Sequence, residues 1–154
     1  MHADFLRQTI DLACDNVVNG GGPFGALVVK DQRIIASSGN RVTQNIDPTA
    51  HAEIMAIRLA CQSLGDFQLT ECTLYTSCEP CPMCLGAIYW ARLHAVYFAC
   101  NRFDAAAAGF DDSFIYDEIP KLPAERCIAM HYIELAGSAL PFQAWKRLES
   151  KIRY

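Results

Sequence analysis

The sequence predicts an α/β domain, a central sheet with crossover helices packed on both of its faces. Two observations carry that expectation. Helical and alternating hydrophobic periods succeed one another between residues 4 and 100 in the order helix–strand–strand–helix–strand–helix–strand, the order that builds a sheet through crossover connections. The chain has 154 residues, 52% hydrophobic and 19% charged. That suits one domain with a substantial core, so residues 1–154 are read as a single domain.

The first helix covers residues 4–18, where Phe5, Leu6, Ile10, Ala13, Cys14 and Val17 recur near helical spacing and Asp11 and Asp15 fall off that face. Asn19-Gly20-Gly21-Gly22-Pro23 ends it. FGALVVK and RIIASS, joined by Asp31-Gln32, read as a two-residue hairpin, although that pair is not the favoured Asn-Gly type. Asn40 to Asn45 reads as polar loop. Asp47 or Thr49 suits the cap of the next helix and Pro48 its first turn; the helix runs through HAEIMAIRLACQSL and stops at Gly65. CTLYTS is a strand, Pro82 opens the helix MCLGAIYWAR, and HAVYFAC is the next strand. Residues 102–125 are less regular, CIAMHYIEL suits a short strand, and PFQAWKRLESKIRY a terminal helix. Trp90 and Trp145 are assigned to the core, and His94 and His131 to partly buried or surface positions.

A net charge of −4 gives no global attraction to nucleic acid or anionic lipid. The start, MHADFLRQTIDLACDN, has no basic segment followed by an apolar run, so it does not read as a secretory signal. No stretch reaches the roughly 18 to 20 continuous apolar residues of a membrane span. The eight cysteines are therefore read as reduced thiols of a cytoplasmic protein, some of them metal ligands.

The chemistry concentrates in SCEPCPMC, Ser77 to Cys84, with His51-Ala52-Glu53 upstream. A catalytic zinc takes three protein ligands and keeps a fourth position for water. His51, Cys81 and Cys84 supply one neutral and two anionic donors. The Cys81-x-x-Cys84 spacing lets both sulfurs reach one ion from the first turn of a helix, and His51 near the start of its own helix can meet them there. Helix N-termini stabilise thiolates and hydroxide. Zinc lowers the pKa of its water to roughly 7. Glu53, two residues from the histidine, is placed to shuttle protons between that water, a ring nitrogen and a leaving amine. H-x-E followed by P-C-x-x-C is the general signature of zinc nucleobase deaminases. Cys78 is assigned as a non-ligand, because the open position is needed for water. Glu79 has two readings, a backbone carbonyl that accepts the leaving proton or a helix-start charge.

With these motifs the chain resembles the cytidine deaminase superfamily, and within it the small bacterial guanine deaminases. The matching stretches are GGPFGALVVK, NIDPTAHAEIMAIR, LYTSCEPCPMCLGAIYWAR, AAAAGFDDSFIYDEI and PFQAW, plus the terminal tyrosine. HAE and PCxxC mark the superfamily, whereas FDDSFIY and Tyr154 favour the guanine enzymes. The resemblance implies a three-layer α/β/α fold around a mixed five-stranded sheet, with one Zn2+ per subunit. It implies the reaction guanine plus water to xanthine plus ammonia, zinc-bound hydroxide attacking C2. It further implies a homodimer whose C-terminal segment, about residues 138–154, is exchanged so that Tyr154 closes the partner's pocket. Phe24, Asn40 and Ala52 fall at purine-contacting positions, and Asp112 beside the substrate amino group as a second catalytic acid. Each of the first-named contacts also has an ordinary role open to it: Phe24 as core, Asn40 as a turn residue, Asp111 or Asp112 as a helix cap.

Two other activities share the zinc motif. DPTAHAEIMA and EPCPMC are also similar to tRNA wobble adenosine deaminases, and Lys146, Arg147, Lys151 and Arg153 make the last helix basic. Those cations equally suit a helix C-terminus, and the acidic stretch from Asp104 to Glu125 would repel an RNA backbone. Deamination of another free base or an aminotriazine is the second alternative. A non-enzymatic zinc module has no use for Glu53.

Overall fold

The computed structural model describes residues Met1–Tyr154. The chain divides into two compact units, Met1–Asp112 and Ser113–Tyr154. The first contains, in order, α1 (His2–Val18), β1 (Gly25–Lys30), β2 (Arg33–Gly39), α2 (Val42–Asn45), α3 (Ala52–Leu64), β3 (Thr73–Cys78), α4 (Pro82–Trp90), β4 (Ala95–Cys100) and α5 (Arg102–Ala107). Its strands lie in the order β2-β1-β3-β4. β1 is antiparallel to both neighbours and β3 is parallel to β4, so the sheet is mixed.

The alternation of β1 decides the layers. Ala26 and Val28 face a core built with Ala52, Ala56 and Ile57 of α3 and Ile88 of α4. Leu27 and Val29 face the other way and meet Phe5, Leu6 and Leu12 of α1. Helices therefore cover both faces of the sheet, as the sequence predicts, and β1 is buried on both sides. Each fully buried aliphatic side chain there contributes about 1.5–3 kcal/mol.

The Asp31-Gln32 turn keeps the expected register. Both residues take positive φ, 48° and 61°, which is what a type I′ hairpin turn requires. Gly65 ends α3 in the left-handed conformation, as expected. Four local expectations are corrected. Val42–Asn45 forms a single helical turn rather than loop. The N-cap of α3 is His51; Asp47 instead accepts from the Thr49 N–H and hydroxyl, closing a tight turn before the helix. Trp90 and Trp145 are exposed rather than core. The terminal helix ends at Arg147 and does not run on to Tyr154.

That unit holds α6 (Ser113–Glu118), a 3-10 turn at Pro123–Glu125 and α7 (Leu140–Arg147). Leu148 leaves helical geometry, and the Lys151 ammonium donates to the Lys146 and Leu148 carbonyls. The expected fifth strand, CIAMHYIEL, is absent, and the sheet has four strands. The backbone of that segment is used otherwise: the Cys127 N–H donates to the Glu118 carboxylate and the Met130 N–H to the Pro123 carbonyl. Ile128 and Tyr132, the residues that suggest a strand, are 85% and 86% exposed. β-propensity reflects fit against a paired, half-buried surface, and this segment has no such surface.

Candidate metal centre and active site

Two helix starts build the centre. His51 is the N-cap of α3 and Cys81 the N-cap of α4, both with extended backbone. Pro82 occupies the first turn of α4, where its missing N–H costs nothing. Cys84 follows within that turn, so both sulfurs point the same way. The His51 Nδ1 lies 3.5 Å from the Cys81 sulfur and 3.6 Å from the Cys84 sulfur. A tetrahedral zinc with ordinary Zn–S and Zn–N bonds would set nitrogen and sulfur about 3.6 Å apart. The three donor atoms all lie within 4.8 Å of one another. The donor set and its spacing thus fit a divalent zinc ion with room for a fourth ligand.

The electrostatics agree. Cys84 donates its thiol proton to the Cys81 sulfur, and His51 also faces it; together these pull Cys81 down to about 4. The same hydrogen bond, with burial, pushes Cys84 up. The hydrogen bond to Cys81 raises His51. A cation takes over what the shared proton does between the sulfurs. Glu53, 5% exposed, lies in the first turn of α3. Burial raises its carboxyl, and the negative Cys81 adds to the effect.

The other expected residues fall in several places. Asp112 is half-buried; burial raises its carboxyl, the Cys81 charge raises it further, and Arg102 opposes both. Phe24 packs against the main core and meets Phe110 edge-on at 5.0 Å. Phe24 and Phe110 also line an apolar cavity of about 260 Å3 with α1 and α5, which none of the three donors lines. Asn40 is 8% exposed. Its N–H donates to the Phe24 carbonyl at 3.0 Å and its Oδ1 accepts from the Val42 N–H at 3.1 Å. Ala52 is fully buried in the main core at the start of α3. Tyr154 belongs to the second unit, is exposed, and meets Trp145 edge-on at 6.4 Å.

Cys78 stands apart from the three donors: it donates to the Asn101 carbonyl at 3.5 Å, and burial pushes its thiol up to about 11. Glu79 has a role outside both readings. Its carboxylate accepts from the Arg102 N–H at 3.0 Å, and its N–H donates to the Cys100 carbonyl at 2.8 Å. It ties the cysteine loop to the turn entering α5. Arg102 beside Asp112 and Asn16 beneath Asn40 escape sequence reasoning. No local motif marks them, since their partners lie at a distance in the chain.

A three-donor metal site on two helix N-termini of an α/β sheet, with a buried carboxyl beside it, defines a class: the zinc-dependent hydrolytic deaminases. The cytidine and deoxycytidylate deaminase zinc-binding region matches residues 1–100, and the chain belongs to that family. Among its relatives is a guanine deaminase of Bacillus subtilis, 57% identical over 154 residues that make up 99% of each chain. The crystal structure of guanine deaminase from that organism superposes with a TM-score of 0.99, covering 100% of this chain and 99% of the other at 57% identity. A tRNA-specific adenosine deaminase of Agrobacterium fabrum is 50% identical over 79 residues, 51% of this chain and 52% of its own.

Proposed function

We propose that this protein deaminates guanine to xanthine and ammonia, with zinc held by His51, Cys81 and Cys84. The observation that carries the substrate is 57% identity to a guanine deaminase over 99% of the chain. When bound, zinc supplies a water whose pKa lies near 7. Glu53 takes one proton from the attacking water and gives it to a purine ring nitrogen; it then carries the second proton, from the hydroxyl now on C2, to the departing amine. Burial raises its pKa, the direction that suits a group which must both accept and give protons. Oxygen replaces nitrogen at C2, and the amine departs as ammonia. Asp112 accepts from the substrate amino group, since guanine presents donors along that edge. Phe24 stacks on the purine, Ala52 at the start of α3 offers its N–H, and Asn40 offers its Nδ2, its Oδ1 being engaged with Val42.

The working form in this reading is a homodimer in the cytoplasm. Unit Ser113–Tyr154 exposes Ile128, Tyr132, Ile133 and Phe142. Apolar residues in such number ask for a protein cover. A second copy supplies it by exchange of the C-terminal segment, bringing Tyr154 to its neighbour's pocket. All eight cysteines are free, as a reducing compartment would keep them. No helix is long and apolar enough to cross a membrane.

The deciding experiment is ammonia release by the zinc-loaded protein from guanine, cytosine, adenine, guanosine and an adenosine-34 tRNA stem-loop. Guanine should dominate, with little dependence on salt. Preferential, steeply salt-sensitive turnover of the stem-loop would replace this reading with tRNA editing. Sedimentation measures the dimer.

A further inference from the structure

We propose that Asn16, in the last turns of α1, is a positioning residue of the purine site: its amide fixes the two loops that carry Phe24 and Asn40. The role presupposes guanine as substrate. Asn16 is a polar side chain only 5% exposed, and such a group must find partners inside the protein. Its Nδ2 donates to the Gly22 carbonyl at 2.7 Å and to the Asn40 carbonyl at 2.9 Å. One nitrogen with two hydrogens therefore joins the loop after α1 to the loop after β2. The Asn16 backbone carbonyl accepts from the Gly21 N–H at 2.8 Å and holds the first loop a second time.

The surrounding chain makes room for this one side chain. A Cβ on Gly21 would stand 2.3 Å from the Asn16 Nδ2, and one on Gly39 2.5 Å from its Oδ1. Neither φ is positive, so both glycines answer to space and not to backbone conformation. A Cβ on Gly22 would stand 3.2 Å from the Asn40 Cγ. Glycines thus bring two asparagines and two loops into one closely packed cluster. Within it Asn40 has its N–H on Phe24, its carbonyl on Asn16 and its Oδ1 on Val42. Its Nδ2 is the donor offered to a ligand, and the Asn16 bond to its carbonyl holds the backbone from which that donor is aimed. Recognition of a planar base depends on such settings, because displacements well below 1 Å weaken a directed hydrogen bond.

Two variants of the full-length, zinc-loaded protein test the role. Asn16→Asp keeps the shape but turns an acceptor on the two carbonyls. Gly21→Ala leaves Asn16 in the chain and displaces its amide. Each should raise KM for guanine about tenfold or more with kcat changed less than about threefold, the pattern of lost substrate positioning. Zinc should stay at one per chain. In an Asn40→Ala background, Asn16→Asp should add almost nothing to KM, because its effect travels through Asn40. An unchanged KM in either folded variant overturns the proposal. So does a full, multiplicative effect in the Asn40→Ala background, and so does failure of both variants to fold, which would make Asn16 a core residue only. Wild-type protein that leaves guanine untouched overturns the substrate instead. Guanine turnover by wild type with unaltered KM in the variants overturns the Asn16 role alone.

Discussion

Replacing Glu53 by Gln separates chemistry from metal binding. The glutamine keeps the size of the side chain and removes its ability to carry a proton. A positioned acid–base group contributes typically 10^2–10^4-fold to a rate, about 2.7–5.5 kcal/mol of barrier. The upper half of that range is expected here, because Glu53 is 5% exposed and few other proton carriers can take its place. Zinc content, measured by atomic emission, should remain one per chain, since His51, Cys81 and Cys84 supply the donors. Ammonia release from guanine should fall about 10^3–10^4-fold. The metal-free proteins give a second, independent reading. Burial raises the Glu53 carboxyl above its ordinary value of 4.5. The folded chain then holds a proton that the unfolded chain has lost. The stabilisation is full below 4.5 and disappears as pH rises through the folded value. Denaturant titrations of metal-free wild type should therefore lose stability with rising pH above 4.5 relative to Glu53→Gln. A variant with more than a tenth of wild-type activity, or one that loses its zinc, would refute the assignment of Glu53 as a proton carrier held off the metal.

Other consequences follow from the same structure. Leu74 is fully buried in the main core, so Leu74→Ala should cost about 2–5 kcal/mol in chemical denaturation. The Thr76 hydroxyl is buried without a hydrogen-bond partner; Thr76→Val, which removes it at equal volume, should raise stability by about 1–3 kcal/mol. Deleting Tyr154 should cut guanine turnover while zinc content and the sheet's circular dichroism signal stay unchanged; full activity would exclude the residue from the pocket.

Much of the first unit is legible in sequence because its signals are local. The hairpin follows from two alternating runs around two residues, and Asp31 and Gln32 take the positive φ values that the turn demands even without glycine. The metal centre is legible for a similar reason. Cys81 and Cys84 are fixed relative to each other by one turn of helix, and Pro82 marks where that turn begins. Only the meeting of His51 with the sulfurs is long-range, and the crossover of the chain around the sheet forces it, since both residues start helices that share the core face of β1.

What stays hidden depends on partners distant in sequence or on surfaces the local pattern does not describe. Asn16 looks like any polar residue near a helix end until its amide is found on Gly22 and Asn40, 6 and 24 residues away. Glu79 looks like a helix-start charge, yet its carboxylate reaches the Arg102 N–H across 23 residues. CIAMHYIEL is the opposite case. Its composition satisfies a strand, but a strand exists only where a neighbour accepts its ladder, and in this unit the Cys127 and Met130 N–H groups are bound elsewhere. An apolar segment left so exposed costs stability in water. The same residues that mislead the reading of secondary structure are thus the exposed apolar ones on which the proposal of a second copy rests.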